Sequence, residues 1–282
     1  GKSTLLNALI RQKVSIVSPK PQTTRTKVLG VLTENNHQMI FVDTPGWIRP
    51  KNALGEYMAK SIESGVADVD CVVMVIDVTK GISDGEIERM KKYAEKAPLV
   101  VVINKTDLAE PDHVMAELAK LNDLPEVKEV YSVSAKKEKN VGLLREGLKK
   151  YLTDDVMYFE EDDVTDRPQR FLAAEIIREK ILLCIDEEIP HGVGVQINEM
   201  QYDSKKRMWN IDANVFVEKA THKPILIGKG GERLKKIASM ARRSLEGMLG
   251  DKVFLSLWIK VKEDWRNSDF LLKEVGYDKK EL

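Results

Sequence analysis

Gly1-Lys2-Ser3-Thr4 runs directly into an apolar, helix-like stretch, Leu5-Leu6-Asn7-Ala8-Leu9-Ile10. That order of residue types suits phosphate binding. Gly1 lets the backbone curl close to an anion, and the amides of Ser3 and Thr4 at a helix N-terminus point at its oxygens. Lys2 neutralises charge, and the Ser3 hydroxyl is placed to ligate Mg²⁺. Asp43-Thr44-Pro45-Gly46 ends a second apolar run. Asp43 there suits the Mg²⁺ shell, and Gly46, having no side chain, lets its amide approach and sense a terminal phosphate. Asn104-Lys105-Thr106-Asp107 ends a third, residues 99–103. A carboxylate at Asp107 accepts two hydrogen bonds from guanine and finds no such donor pair on adenine, an asymmetry worth about 10⁴ in selectivity. Asn104 is expected to bridge to the loop and the Lys105 stem to lie on the base, while Ser134-Ala135-Lys136 supplies an amide for the guanine oxygen.

These groups need strands to hold them. From residue 28 to 134, β-rich runs (28–33, 38–43, 71–77, 99–104 and 129–134) alternate with helix-period segments. This pattern predicts a parallel sheet covered by helices on both faces, with each motif at a strand tip where ligands of such sheets bind. The hydroxyl-rich Pro21-Gln22-Thr23-Thr24-Arg25 lies where the small GTPases that these motifs resemble keep their first switch, and that resemblance implies a switch threonine as ligand of Mg²⁺, for which Thr24 is chosen over Thr23. Lys2, Thr24 and Gly46 are the residues expected to act in catalysis. Trp47 follows Gly46, where many regulatory GTPases carry a glutamine that orients water, so intrinsic hydrolysis is expected to be slow, of order 10⁻⁴ to 10⁻² s⁻¹.

Residues 153–168 form a dense acidic run, Asp154, Asp155, Glu160, Glu161, Asp162, Asp163 and Asp166, read as the linker. After it the order becomes a helix over 169–188, two strands, a glycine-rich turn between helices, and a final strand. Gly228-Lys229-Gly230-Gly231 has the GxxG form that clamps single-stranded RNA. Lys219, Lys223, Lys229, Arg233, Lys235, Lys236, Arg242 and Arg243 surround it against one acidic neighbour, Glu232. Lys229, Arg233, Lys235 and Lys236, with the three glycines, are the candidate RNA contacts. Trp258 and Trp265 are expected to pack in or against the core. His37, His113, His191 and His222 have no paired cysteine or carboxylate, which argues against a metal site, although His222 beside Lys223 is placed to touch RNA.

The four guanine-nucleotide motifs in this order resemble the translation-factor-like class of small GTPases. With the junction at residues 164–171 and the terminal GKGG, the chain resembles the bacterial Era GTPases. The resemblance implies an α/β P-loop GTPase domain, mostly parallel, over residues 1–152, then the linker and an α+β type II KH domain over 169–282. It implies GTP/GDP and Mg²⁺ as ligands, slow hydrolysis of GTP to GDP and phosphate, and binding to small-subunit (16S) ribosomal RNA near its 3′ end during 30S subunit assembly. A cytoplasmic location follows from it, with peripheral contact to the inner membrane. Since the family places a strand and the front of the phosphate loop before Gly1, residues are expected to precede it. The alternative is an RNA-binding scaffold whose guanine nucleotide is structural and never turned over.

Composition bounds these readings. In 282 residues, 45 basic groups balance 45 acidic ones, so a polyanion must be met locally rather than by overall charge. Two cysteines, Cys71 and Cys184, stand in apolar runs as buried free thiols, which favours a reducing compartment.

Overall fold

A computed structural model describes residues 1–34, 36–154, 156–185 and 189–282. In chain order the elements are α1 (Lys2–Ile10), β1 (Val28–Glu34), β2 (His37–Asp43), α2 (Ala53–Gly65), β3 (Val72–Asp77), α3 (Asp84–Ala94), β4 (Leu99–Asn104), α4 (Pro111–Asn122), β5 (Val127–Ser132) and α5 (Val141–Leu148). Then follow α6 (Gln169–Cys184), β6 (Gly194–Asp203), β7 (Met208–Val217), α7 (His222–Ile227), α8 (Glu232–Leu249), β8 (Lys252–Val261) and α9 (Asp269–Glu274). Asp155 of the acidic run, Glu188 at the expected helix end and the side chain of His191 lie outside the described residues.

The chain divides into two compact units. The first holds Gly1–Ser15, Lys27–Thr44 and Ile62–Asp166, and the second Ile16–Thr26, Pro45–Ser61 and Arg167–Leu282. Two loops expected in the nucleotide domain, 16–26 and 45–61, thus pack with the second unit.

In the first unit β3, β4 and β5 form a parallel ladder, with Val72 opposite Leu99 and Val102 opposite Tyr131. Every residue of β4 is buried because the sheet is covered twice. Val100 and Val102 meet α1 and α5 through Leu5, Leu9 and Leu144, while Leu99, Val101 and Ile103 meet Met90 of α3 and Leu121 of α4. Ser83 and Glu86 form a capping box that starts α3, and Pro111 begins α4. β1 and β2, by contrast, pair antiparallel, Val28 opposite Asp43, so this part of the expected parallel sheet is a hairpin. Strands so close in sequence have no room for the crossover a parallel pair requires. A cleft of about 580 Å³ lies along β2 and β3, floored by Leu5, Leu6 and Leu9. Among the described residues neither strand has a second ladder partner there, and such strand edges accept an extended segment. The acidic run lies along the hairpin: Gln38 Oε1 accepts from Tyr158 N (2.8 Å) and Phe159 N (3.0 Å), and Val31 N donates to Val164 O (2.9 Å).

The second unit is built on the sheet β6-β7-β8, antiparallel then parallel. Ile211, Ala213 and Val215 of β7 and Val253 and Ile259 of β8 face Ile177 and Ile181 of α6 and Ile237, Ala241 and Leu245 of α8. The alternation read from the sequence is therefore the packing pattern, with helices on one face. Trp265 is fully buried and its indole N–H donates to Gly192 O at 2.9 Å. Trp258 is a correction: it is 55% exposed, because its parity on β8 places it on the face away from the helices.

Candidate functional site: strand tips in one unit, a glycine turn in the other

Gly1 caps α1 with no side-chain partner, which leaves the amides of the first turn open to an anion. A Cβ at Gly1 would stand 2.9 Å from Asn104 Nδ2, so no larger residue fits this cradle without movement. Ser3 Oγ donates to Asp43 Oδ2 at 2.6 Å, and Ser15 Oγ to the same oxygen at 2.8 Å. A hydroxyl and a carboxylate in contact, beside a helix N-terminus without a side-chain cap, are the hard oxygen donors that Mg²⁺ prefers, so the residues fit that ion with a phosphate. Burial pushes the Lys2 ammonium below its ordinary value, with Asp43 opposing. Ser15 belongs to no motif, and only the fold brings it to Asp43.

The second cluster is built on the tips of β4 and β5. Asn104, 3% exposed, accepts from its neighbour Lys105 N (2.8 Å) and across the loops from Ala135 N (3.0 Å), which ties the two together. Ser134 Oγ donates to Asp107 Oδ1 at 2.6 Å; that bond first, then Lys137 and Lys136, hold the exposed Asp107 carboxyl below its ordinary value. Lys105 sits at φ 67° and its ammonium meets Asp77 Oδ2 at 2.5 Å. Burial alone would raise the Asp77 carboxyl, but bonds from Lys105 and Thr79 hold it down. Asp77 was not singled out in the sequence; its place at the end of β3, level with Asn104 across the ladder, was the available signal. Ser134 and Ala135 are buried, whereas Lys136 is exposed. Gly1, Lys2, Ser3, Thr4 and Asp43 thus gather at one place, and Asn104, Lys105, Asp107, Ser134 and Ala135 at the next.

Thr24 and Gly46 belong to the second unit. Thr24 is buried beside Arg25, which is 3% exposed and donates from Nη1 to Val193 O at 2.6 Å. The Arg25 guanidinium lies 5.9 Å from the Trp265 ring and 6.0 Å from that of Tyr277. Val17 N donates to Glu179 Oε1 (2.9 Å), Arg178 to Thr23 O, and Thr26 shares a hydrogen bond with Tyr57 (2.7 Å). None of these partnerships between distant residues left a mark in the sequence.

The glycine turn joins α7 to α8. Gly228, Gly230 and Gly231 all have positive φ (76°, 59° and 80°), and a Cβ at Gly228 would meet Arg233 Cβ at 2.7 Å. Gly230 and Gly231 have open space where a side chain would stand, so a backbone phosphate can approach. Lys229, Arg233, Lys235 and Lys236 are exposed around it. Arg233 also donates to Ile225 O, which steadies the turn from within. Among the described residues no cluster of three potential metal-ligating side chains occurs, and no helix is long and apolar enough to cross a membrane.

Residues 1–105 match the family described as 50S ribosome-binding GTPase, and residues 188–266 match the KH domain family. A protein of Clostridium botulinum (strain Kyoto / Type A2) named GTPase Era is 46% identical over 282 residues, covering 99% of this chain and 94% of the relative. Two solved structures each superpose with a TM-score of 0.94 at 40% identity, over 99% of this chain and 95% of theirs. One is a point variant of Aquifex aeolicus Era bound to GDP·AlF₄⁻, the other Era in complex with MgGDPNP and nucleotides 1506–1542 of 16S ribosomal RNA.

Proposed function

The chain belongs to the Era family of GTPases, and from that premise we propose that it is a slow, GTP-controlled binder of the 3′ region of small-subunit ribosomal RNA, acting in assembly of the 30S subunit. The observation that carries the nucleotide half is the pair of clusters at the strand tips. Gly1, Lys2, Ser3 and Thr4 hold the phosphates, and Ser3 and Asp43 hold Mg²⁺. Asn104, Lys105, Asp107, Ser134, Ala135 and Lys136 hold guanine. The metal, when bound, supplies positive charge for the phosphate oxygens. Lys2 adds to it, the α1 amides orient the phosphates, and Asp107, fixed by Ser134, rejects adenine. Trp47, 56% exposed, offers no group to orient water, which supports a low intrinsic rate.

The RNA half rests on the open GKGG turn within its basic surround. Thr24 and Gly46 sit in segments that pack through Arg25, Glu179 and Tyr57 inside the second unit. A GTP-dependent change at either residue is therefore a change in the packing of the RNA-binding unit itself. Phosphate release is expected to rise when RNA from the 3′ end or small subunits are added. RNA affinity at one fixed salt concentration is expected to differ between GTP-analogue and GDP forms. Equal affinity in both forms removes the coupling, since a ligand without differential affinity shifts nothing. Unstimulated, negligible turnover makes the nucleotide structural. Peripheral contact with the inner membrane belongs to the same proposal and is tested by co-sedimentation with anionic vesicles.

A further inference from the structure

The face of the β6-β7-β8 sheet turned away from the helices carries an uncommon set of side chains. On β8 the same parity brings Lys252, Phe254, Ser256, Trp258 and Lys260 to this face, with both lysines exposed. Phe254 is 58% and Trp258 55% exposed. Asn210 and Asn214 of β7 stand opposite the two rings, and Asp212 opposite Ser256. The face is ordered by its own bonds: Trp258 Nε1 donates to Asp212 Oδ2 (2.6 Å), Asn198 Nδ2 to Asp212 Oδ1 (2.5 Å), and Asn214 Nδ2 to Asn198 Oδ1 (2.7 Å). Beyond Trp258 the sheet is covered, since Phe216, opposite Lys260, is buried against Trp265 and Leu272. The platform ends there.

We infer that this face is a second single-stranded RNA surface, on which Phe254 and Trp258 each stack a base while Lys252 and Lys260 meet the phosphates at either end. Rings four residues apart on a strand lie about 13 Å from each other, too far to form one apolar patch and separated by polar groups, which disfavours a protein interface. Bases need rings with amide donors and acceptors beside them, and open sheets that bind RNA elsewhere use that combination. Both Asp212 oxygens are engaged within the network. Glu199 and Asp203 share this face, Glu274 is bonded to Gln196 at its edge, and Lys206 and Arg207 of the β6–β7 turn are paired with Asp203 and Asp251, so the positive charge that brackets the rings is that of the exposed Lys252 and Lys260. The GKGG turn belongs to helices packed on the opposite face. An RNA long enough to pass round the β8 edge would touch both surfaces and a short one only one of them. The choice of RNA as ligand rests on the reading of the second unit as RNA-binding; the surface itself does not.

The test uses the full chain and fluorescence anisotropy with labelled single-stranded RNA. One RNA has about four nucleotides, the stretch a GxxG loop clamps, and the other about three times that. The Phe254→Ala/Trp258→Ala double variant is expected to lose at least about tenfold in affinity for the long RNA and little for the short one. Trp258→Phe, which keeps a ring and discards the indole donor, is expected to stay within about threefold of the parent. Ultraviolet crosslinks from the long RNA are expected on β8. Unchanged affinity of the double variant for the long RNA overturns the inference and leaves the GKGG reading intact. Equal loss on both lengths overturns it too. Failure of the parent to bind either RNA overturns both readings together. A ribosomal protein whose binding the double variant loses, with RNA affinity unchanged, assigns the face to protein instead.

Discussion

Replacing Asn104 with alanine removes one oxygen and orphans two amides. Oδ1 accepts from Lys105 N at 2.8 Å and Ala135 N at 3.0 Å, and both Asn104 and Ala135 are 3% exposed. Water cannot replace the bond at Ala135, so that donor bears its full desolvation cost, whereas the half-buried Lys105 regains part of its own. Together the loss is about 2 to 4 kcal/mol, or about 30- to 1,000-fold in the opening equilibrium of the first unit. Tryptophan fluorescence will not see it, because all four tryptophans, at 47, 209, 258 and 265, lie in the second unit. Hydrogen exchange of the β4 and β5 amides is the suitable assay, paired with binding of a fluorescent guanine nucleotide. Both are expected to weaken, since the loop carrying Ala135 loses its tie to β4. Exchange within about 0.5 kcal/mol of the parent, with unchanged nucleotide affinity, would refute the idea that Asn104 acts as the clasp between these loops.

Other expectations follow from the first unit. Glu129 accepts from Tyr131 Oη and Tyr151 Oη, each at 2.6 Å, and pairs with Lys150. Burial works against its charge, but these bonds outweigh that and hold the carboxyl below its ordinary range, so its stabilisation is present above the unfolded pKa and is lost as pH falls through the folded one. Glu129→Gln should therefore cost about 1 to 3 kcal/mol at neutral pH, with the gap from the parent closing in acid, measured by urea titration followed by circular dichroism. Gly147→Ala reverses a rule: alanine normally improves a helix, but here its Cβ would fall 1.8 Å from the Tyr131 hydroxyl. A net loss of about 1 to 3 kcal/mol is expected, partly restored by adding Tyr131→Phe. Burial pushes the Cys71 thiol up to about 11. Only about a thousandth is thiolate at pH 8, so in a Cys184→Ser background iodoacetamide labelling, read by mass spectrometry, should be slow and rise about tenfold per pH unit.

How much of this was legible in the sequence differs between the site and the packing. The strand-tip motifs could be placed because β4 is apolar throughout and its end is marked by Asn104, whose type and spacing carry the chemistry. The GKGG turn was equally plain, since three positions of positive φ within four residues call for glycine. Residues 16–26 and 45–61 could not be assigned to the second unit, because what holds them are bonds such as Arg25 to Val193, Val17 to Glu179 and Ala53 to Asn267, across more than 160 positions. Ser15 entered the site by geometry alone, whereas Asp77 had its place at the end of β3 as a signal. Trp258 was misjudged for a related reason: its size suggested the core, but alternation along β8 decides the face, and the five apolar partners from Val253 to Val261 had already claimed the other side.

The most direct test of a guanine-selective pocket made by Ser3, Asp43, Asn104 and Asp107 is calorimetric titration of the full chain, in Mg²⁺, with GDP and then with ADP. Tight binding of GDP and an affinity for ADP weaker by about 10⁴ are predicted, with the gap collapsing in Asp107→Ala. Comparable heats and affinities for the two nucleotides in the parent chain would contradict the account.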